Sequence, residues 1–297
     1  MRRSTHLVNL CLLLLAAFHC LGQTEASTSI RSDAAHLSAA EVHTFLEMIC
    51  PGRTSASGCE VCPEGTASPV GPWELRSITF GHFLSPASDD VLISGFECES
   101  HAEGYSGSFL FTRDQSSWKK VRYEEGVKAW DCRKLAGSDG RDRLVCAAQD
   151  VHQGYEDAFL YVLDPGRDPR TMDPLDDTSR GSVFFYVMDG LGALCVGPRN
   201  DDSSQHGTIA RVDFQELPKG RQVRITVYAS LGKADVPDEV IERACRQTGF
   251  PTDLKIATLP RQYEFTFDGA RVIPAQNNPP TKNRGAIAPQ TSYQMAN

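Results

Sequence analysis

Residues 91–114, VLISGFECESHAEGYSGSFLFTRD, and residues 143–164, RLVCAAQDVHQGYEDAFLYVLD, share one layout. Each opens on a short apolar run and crosses a polar loop that holds His, Gly and Tyr. Each then returns through a second apolar run and ends on Asp. Apolar runs rich in β-branched and aromatic residues, bounded by turn formers, read as strands. A weaker third copy occupies residues 193–214, ALCVGPRNDDSSQHGTIARVDF. His101, His152 and His206 fall at equivalent points, 51 and then 54 residues apart. A period near 50 residues with several short strands per unit is the signature of propeller blades.

Further strand signals at 183–187 (VFFYV) and 223–228 (VRITVY) extend the pattern on both sides of the third copy. The expected fold is mainly β and antiparallel: a propeller-like or β-meander domain built from repeats of about 50 residues over 73–270. A closed propeller typically has four or more blades. A fourth unit would have to come from the strands near 262–267, joined by 73–79; otherwise the domain is an open meander or sandwich.

Two helices flank these strands. Ser38 followed by Glu41 forms a capping box, and Val42, Phe45, Leu46 and Ile49 share one helical face. Residues 237–247, PDEVIERACRQ, carry Pro at the start and Gly249 after the end. Between the first helix and the strands, residues 51–72 are rich in Gly, Pro, Ser and Thr and contain Cys59-Glu60-Val61-Cys62. Residues 38–72 thus read as a helix plus a cysteine-rich loop. The tail, 271–297, is rich in Pro, Asn, Gln and Thr and is expected to be disordered.

The N-terminus has Arg2 and Arg3, then an apolar stretch from Leu7 to Phe18, then small and polar residues. This is the three-part layout of a secretory signal peptide over 1–22, with cleavage possible up to residue 26, followed by a flexible segment over 23–37. Cys20 is the candidate for a lipid anchor, but Ala17-Phe18-His19 before it lacks the small residues of a bacterial lipobox. No other stretch is long and apolar enough for a transmembrane helix. The expected location is secreted or periplasmic. The chain holds 30 Lys+Arg against 38 Asp+Glu, a net charge of −8. That balance argues against nucleic acid and against anionic membranes as partners.

Ten cysteines are present, and Cys11 and Cys20 leave with the signal peptide. Cys50, Cys59, Cys62, Cys98, Cys132, Cys146, Cys195 and Cys245 remain, an even set that an oxidising compartment turns into disulfides. Their connectivity cannot be read from sequence. They are expected to tie repeats together and to pin the entry segment.

The stretch Phe80-Gly81-His82-Phe83, then Asp89-Asp90-Val91-Leu92-Ile93, then Gly107-Ser108-Phe109-Leu110-Phe111 resembles the FG-GAP and VCBS repeats of β-propellers. Residues 137–145, GSDGRDRLV, match the same pattern. The layout also looks like bacterial secreted proteins of no assigned function. The resemblance implies a propeller and acidic loops that bind Ca²⁺, an ion that takes 6–8 oxygen ligands. Here residues 84–89 read LSPASD, and the second loop offers only Asp139 and Asp142, so the fold carries over more readily than the calcium sites.

Three constellations could carry chemistry. The Cys59-x-x-Cys62 spacing suits a redox dithiol or half of a zinc site, with Cys50 and His43 nearest. Its Gly/Pro loop context suits structural disulfides instead. His101, His152 and His206 could converge on Zn²⁺, Cu²⁺ or Fe²⁺ at one end of a closed propeller, or sit exposed at loop tips. Trp73, Trp118 and Trp130 with Tyr105 and Tyr155 could form an aromatic surface for sugar or peptide, or pack between blades. Acid pairs such as Asp89/Asp90, Asp176/Asp177 and Asp201/Asp202 read as solvated turns, not as glycosidase carboxylates facing across a cleft. No G-x-S-x-G elbow and no Walker or Rossmann glycine pattern occurs. The leading expectation is an exported, non-catalytic binding or structural protein for a protein or carbohydrate partner, with no bound cofactor. The alternative is a metal-dependent hydrolase or other metalloprotein using the repeat histidines, with Ca²⁺ or Zn²⁺.

Overall fold

The structure is a computed structural model and describes residues 36–66, 71–99, 106–152, 155–167, 182–195, 205–218, 222–233, 237–248 and 257–276. The signal-peptide segment, the flexible segment up to residue 35 and the tail from residue 277 lie outside the described residues.

Helix α1 (Ala39–Ile49) opens the fold. Its capping box forms as the sequence predicts. The Glu41 N–H donates to Ser38 Oγ at 3.3 Å, and the Ser38 N–H donates to Glu41 Oε2 at 2.8 Å. Phe45, Leu46 and Ile49 are its buried face. Strands β1 (Thr54–Ser55), β2 (Gly58–Cys59), β3 (Trp73–Gly81), β4 (Asp90–Phe96), β5 (Ser106–Asp114) and β6 (Ser117–Glu125) follow. They form one antiparallel sheet in chain order. Strands β7 (Asp131–Ala136), β8 (Asp142–His152), β9 (Tyr155–Leu163) and β10 (Ser182–Asp189) form a second sheet, again in chain order. After a 3-10 helix (Leu191–Cys195), β11 (Gln205–Glu216), β12 (Val223–Lys233), β13 (Thr258–Phe267) and β14 (Val272–Pro274) form the third. Helix α2 (Asp238–Thr248) lies between β12 and β13, close to the predicted 237–247.

The stretch 91–114 folds back on itself as its two apolar runs require. Val91 pairs with Phe111, Leu92 with Leu110 and Ile93 with Phe109. Residues 143–164 do the same, with Val145 opposite Val162 and Cys146 opposite Tyr161. The third copy does not repeat this. Its first apolar run, from Ala193, is part of the 3-10 helix, and among its described residues only the second half enters a strand, β11.

Side chains alternate across a strand, and here the alternation builds layers. Val91, Ile93, Phe109 and Phe111 meet Phe45, Leu46 and Ile49 of α1 on one face of the first sheet. Leu92 and Leu110 meet Leu144, Cys146, Tyr161 and Leu163 of the second sheet on the other. The second sheet's opposite face, with Val145, Leu160, Val162 and Phe185, meets Ile225, Val227, Tyr263, Phe265 and Phe267 of the third. The order is helix, sheet, sheet, sheet. The inner strands of two sheets are buried on both faces, which explains why runs such as those of β4 and β9 read as nearly continuous apolar stretches.

The chain between β6 and β7 is itself buried. Val127, Lys128 and Ala129 are each less than a tenth exposed. Buried backbone needs partners, and three side chains supply them. Ser108 Oγ donates to the Val127 carbonyl at 2.9 Å, Tyr161 Oη to the Lys128 carbonyl at 2.6 Å, and Ser77 Oγ to the Ala129 carbonyl. Buried polar residues in the first sheet, Ser77 and Ser108, are thus accounted for.

Several expectations change. The strands at 262–267 belong to the third sheet and those at 73–79 to the first, so they do not join as a fourth unit. No closed ring forms among the described residues; the outer face of the first sheet is covered by α1. The segment 271–297 was expected to be disordered throughout, yet Val272–Pro274 pair with Phe265, Thr266 and Phe267 of β13. Polar composition does not exclude a three-residue edge strand beside a strongly apolar partner.

Candidate functional site

All eight cysteines expected to pair do so: Cys50–Cys59, Cys62–Cys98, Cys132–Cys146 and Cys195–Cys245. Cys59 and Cys62 therefore take different partners, and the C-x-x-C spacing is neither a redox dithiol nor half of a zinc site. None of the bridges joins strands of two different sheets, contrary to the expectation that they tie repeats together. His43 faces Glu47 on α1, 3.8 Å away, instead of the cysteines.

The stack has two unlike ends. The lower end carries the β3–β4, β5–β6, β7–β8, β9–β10, β11–β12 and β13–β14 connections. Charged groups lock it. Asp139 accepts from Arg141 at 2.8 Å and from Arg143 at 2.9 Å. Both guanidiniums also reach Asp164, at 3.3 and 3.0 Å. Partial burial pushes the Asp139 carboxyl up, but hydrogen bonds from Arg141 and Arg143 outweigh this and hold it far below the usual carboxylate range. Asp142 Oδ2 accepts the His82 N–H at 2.9 Å. Asp90 Oδ2 accepts the N–H groups of Phe83 and Leu84 at 2.7 and 2.8 Å and the Ser88 hydroxyl at 2.6 Å. The acids that the propeller-repeat resemblance would offer to Ca²⁺ are thus engaged by arginines and by turn N–H groups.

The upper end carries the β4–β5, β6–β7, β8–β9, β10–β11 and β12–β13 connections. Cys62–Cys98 sits where β4 ends. Cys50–Cys59 sits beside Trp73, where β3 begins. Cys195–Cys245 joins the 3-10 helix to α2 within these connections. Cys132–Cys146 lies one residue into β7. Glu97 and Cys98 both take positive φ, 72° and 70°, at the start of the β4–β5 connection. Next to them Glu99 is 3% exposed and accepts the Tyr123 hydroxyl.

Two of the three repeat histidines lie at this end, one in the second sheet and one in the third. His152 is the last residue of β8, opposite Tyr155. His206 is the second residue of β11, opposite Gly232. Its Nδ1 lies 2.7 Å from Asp189 Oδ2, at the end of β10. His101 falls in the β4–β5 connection, outside the described residues. Among the described residues no group of three His, Cys, Asp or Glu is arranged to hold a metal ion.

The tryptophans divide. Trp73 is fully buried against Phe109. Trp118 packs with Phe45 of α1 and Phe80. Trp130 is only half-buried, at the upper rim between the first two sheets, and its ring meets Phe96 edge-on at 5.7 Å. The Arg76 guanidinium lies 5.2 Å from the Phe96 ring and 5.9 Å from the Trp130 ring. Glu74 holds it at 2.8 Å, and both side chains are nearly half exposed. Arg76 occupies this place because β3 shifts register against β4 between Leu75 and Ser77. A β-bulge of this kind re-aims one side chain. Sequence reading singled out Trp130 but not Arg76 or Glu74, because a bulge leaves no mark on residue alternation.

No helix among the described residues is long and apolar enough to cross a membrane. No protein-family model, curated protein or solved structure matches the chain, so its function is argued from this geometry.

Proposed function

We propose that the protein is an exported, non-catalytic binding protein that presents the upper end of its stack to a ligand. One observation carries this reading: the disulfides gather toward the end where the β12–β13 connection, the longest between two strands, leaves the sheets. Loops on a rigid scaffold are where recognition residues concentrate. Covalent staples hold such loops where they lack a core of their own. The three chain-order meanders stacked face to face are similar to propeller blades, in keeping with the FG-GAP-like repeat pattern; in this reading α1 caps the stack where a further blade would pack. The test is a hydrogen-exchange footprint of the exported chain with ligands found on arrays of extracellular proteins and saccharides. Protection of residues 94–99 and 205–209, with 82–89 and 137–141 unchanged, is the expected result. Protection confined to the lower end, or turnover of the ligand, would overturn it.

A second reading, a metalloprotein, is favoured by the His206–Asp189 pair. A histidine that ligates a metal through one ring nitrogen almost always gives the other to a carboxylate or carbonyl. Elemental analysis of the purified chain tests it. One equivalent of zinc or calcium, lost in His206→Ala, would support it, and less than a tenth of an equivalent would reject it.

A further inference from the structure

We infer that the rim formed by Glu74, Arg76, Phe96 and Trp130 is a saccharide subsite, so that the ligand of the upper end is a glycan. This rests on the binding reading above and gives it a chemical class. The rim has the make-up of a polyol site: few polar groups, Arg76 and Glu74, set against the aromatic rings of Phe96 and Trp130. Arg76 is the extra residue of the β3 bulge, and its guanidinium lies over both rings while the side chain stays nearly half exposed. An Arg stacked on aromatic rings loses little further freedom when it donates to a ligand. Its hydrogen bond to Glu74 comes from Nη2 and occupies one of five N–H donors. The outward donors of Arg76 therefore stand beside the acceptor oxygens of Glu74. Neighbouring hydroxyls on a pyranose ring, each both donor and acceptor, match that pairing.

Structural purpose accounts for this arrangement poorly. An exposed ion pair between residues two apart on one strand contributes little stability. Phe96 and Trp130 already pack against each other without it. Both charged side chains are accessible, at 44% and 48%. The platform also lies at the end where Cys62–Cys98 fixes the chain just beyond Phe96.

The test uses the full exported chain on an array of neutral and acidic pyranose oligosaccharides, then calorimetry with the strongest binder. Arg76→Ala and Glu74→Gln are made alongside Trp130→Phe, with circular dichroism and the absence of free thiols checking the fold. Arg76→Ala should weaken saccharide binding at least tenfold, Glu74→Gln severalfold, and bound sugar should perturb Trp130 emission. Because Arg76 and Glu74 are exposed, they keep the test valid if Trp130→Phe fails to fold. Absence of saccharide binding at millimolar concentration overturns the inference. So does binding that both exposed variants leave unchanged. A protein ligand that footprints on the upper end but ignores Arg76→Ala would sink the saccharide subsite and leave the binding reading intact.

Discussion

Gly95 and Gly107 face each other across β4 and β5. A Cβ on Gly95 would stand 2.0 Å from the Trp73 ring, and one on Gly107 1.9 Å from the Tyr123 hydroxyl. The paired glycines form a slot in which two aromatic side chains lie flat against the sheet. Trp73 is fully buried, so nothing around it can yield. Gly95→Ala should therefore cost about 2–3 kcal/mol, as overpacking of a filled core does; urea unfolding followed by circular dichroism reads it. Asp139 supplies a second test. Its folded carboxyl is held far below the ordinary value, chiefly by Arg141 and Arg143 against the upward push of burial. Such a group stabilises fully above the unfolded value near 3.9 and loses its contribution as pH falls through the depressed folded range. Asp139→Asn should be less stable than the wild type at pH 7, and the gap should narrow progressively below about pH 4. The arginines were readable as neighbours of Asp139 in the chain, two and four residues on, where β8 begins. What drew attention in the sequence was the carboxylates alone, as cation ligands. Asp164 could not have been added, since it arrives only through the β8–β9 register that sets Leu144 opposite Leu163.

Elements were legible wherever an apolar run was long or a cap was explicit. The capping box at Ser38 and the runs at 91–96, 158–163 and 223–228 all lie in the elements expected of them. The run at Ala193 failed because it is short, and Cys195 leaves the ladder to bridge Cys245 on α2. That bridge closes 50 residues, against 9 for Cys50–Cys59. On loop entropy alone, replacing both of its cysteines by serine should cost about 4 kcal/mol, against about 2.5 kcal/mol for the shorter one. The difference should show as a larger drop in urea midpoint, and equal drops would mean that the unfolded chain is not what these bridges act on. Strand β14 offers a sharper check. A chain ending at Ala270 loses the pairing of Val272, Ile273 and Pro274 with β13. It should melt several degrees below one ending at Gln276, and identical melting temperatures would show that β14 contributes nothing. Pro260 sits on the same strand without harm, because β14 covers only Phe265 to Phe267 and leaves the outer edge at Pro260 with no neighbour in the sheet.

At the scale of the whole molecule, the sequence conveyed the antiparallel β class better than the assembly of its sheets. Strands buried on both faces have no polar side to mark which neighbour lies where, so the order of the sheets and the covering role of α1 had to come from the packing. The same holds for the upper rim, which needs β3, β4 and the β6–β7 crossover to meet before Arg76, Phe96 and Trp130 become one surface. That crossover also sets where the chain can be interrupted. Its three carbonyls are held by Ser77, Ser108 and Tyr161 in the interior, whereas Gln115 and Ser116 form an exposed two-residue turn between β5 and β6. A peptide tag or reporter inserted at Gln115–Ser116 should leave the yield of folded protein and the four disulfides unchanged. The same insertion at Val127–Lys128 should abolish folding, so two sites only a dozen residues apart would mark the most and the least permissive points for engineering this chain.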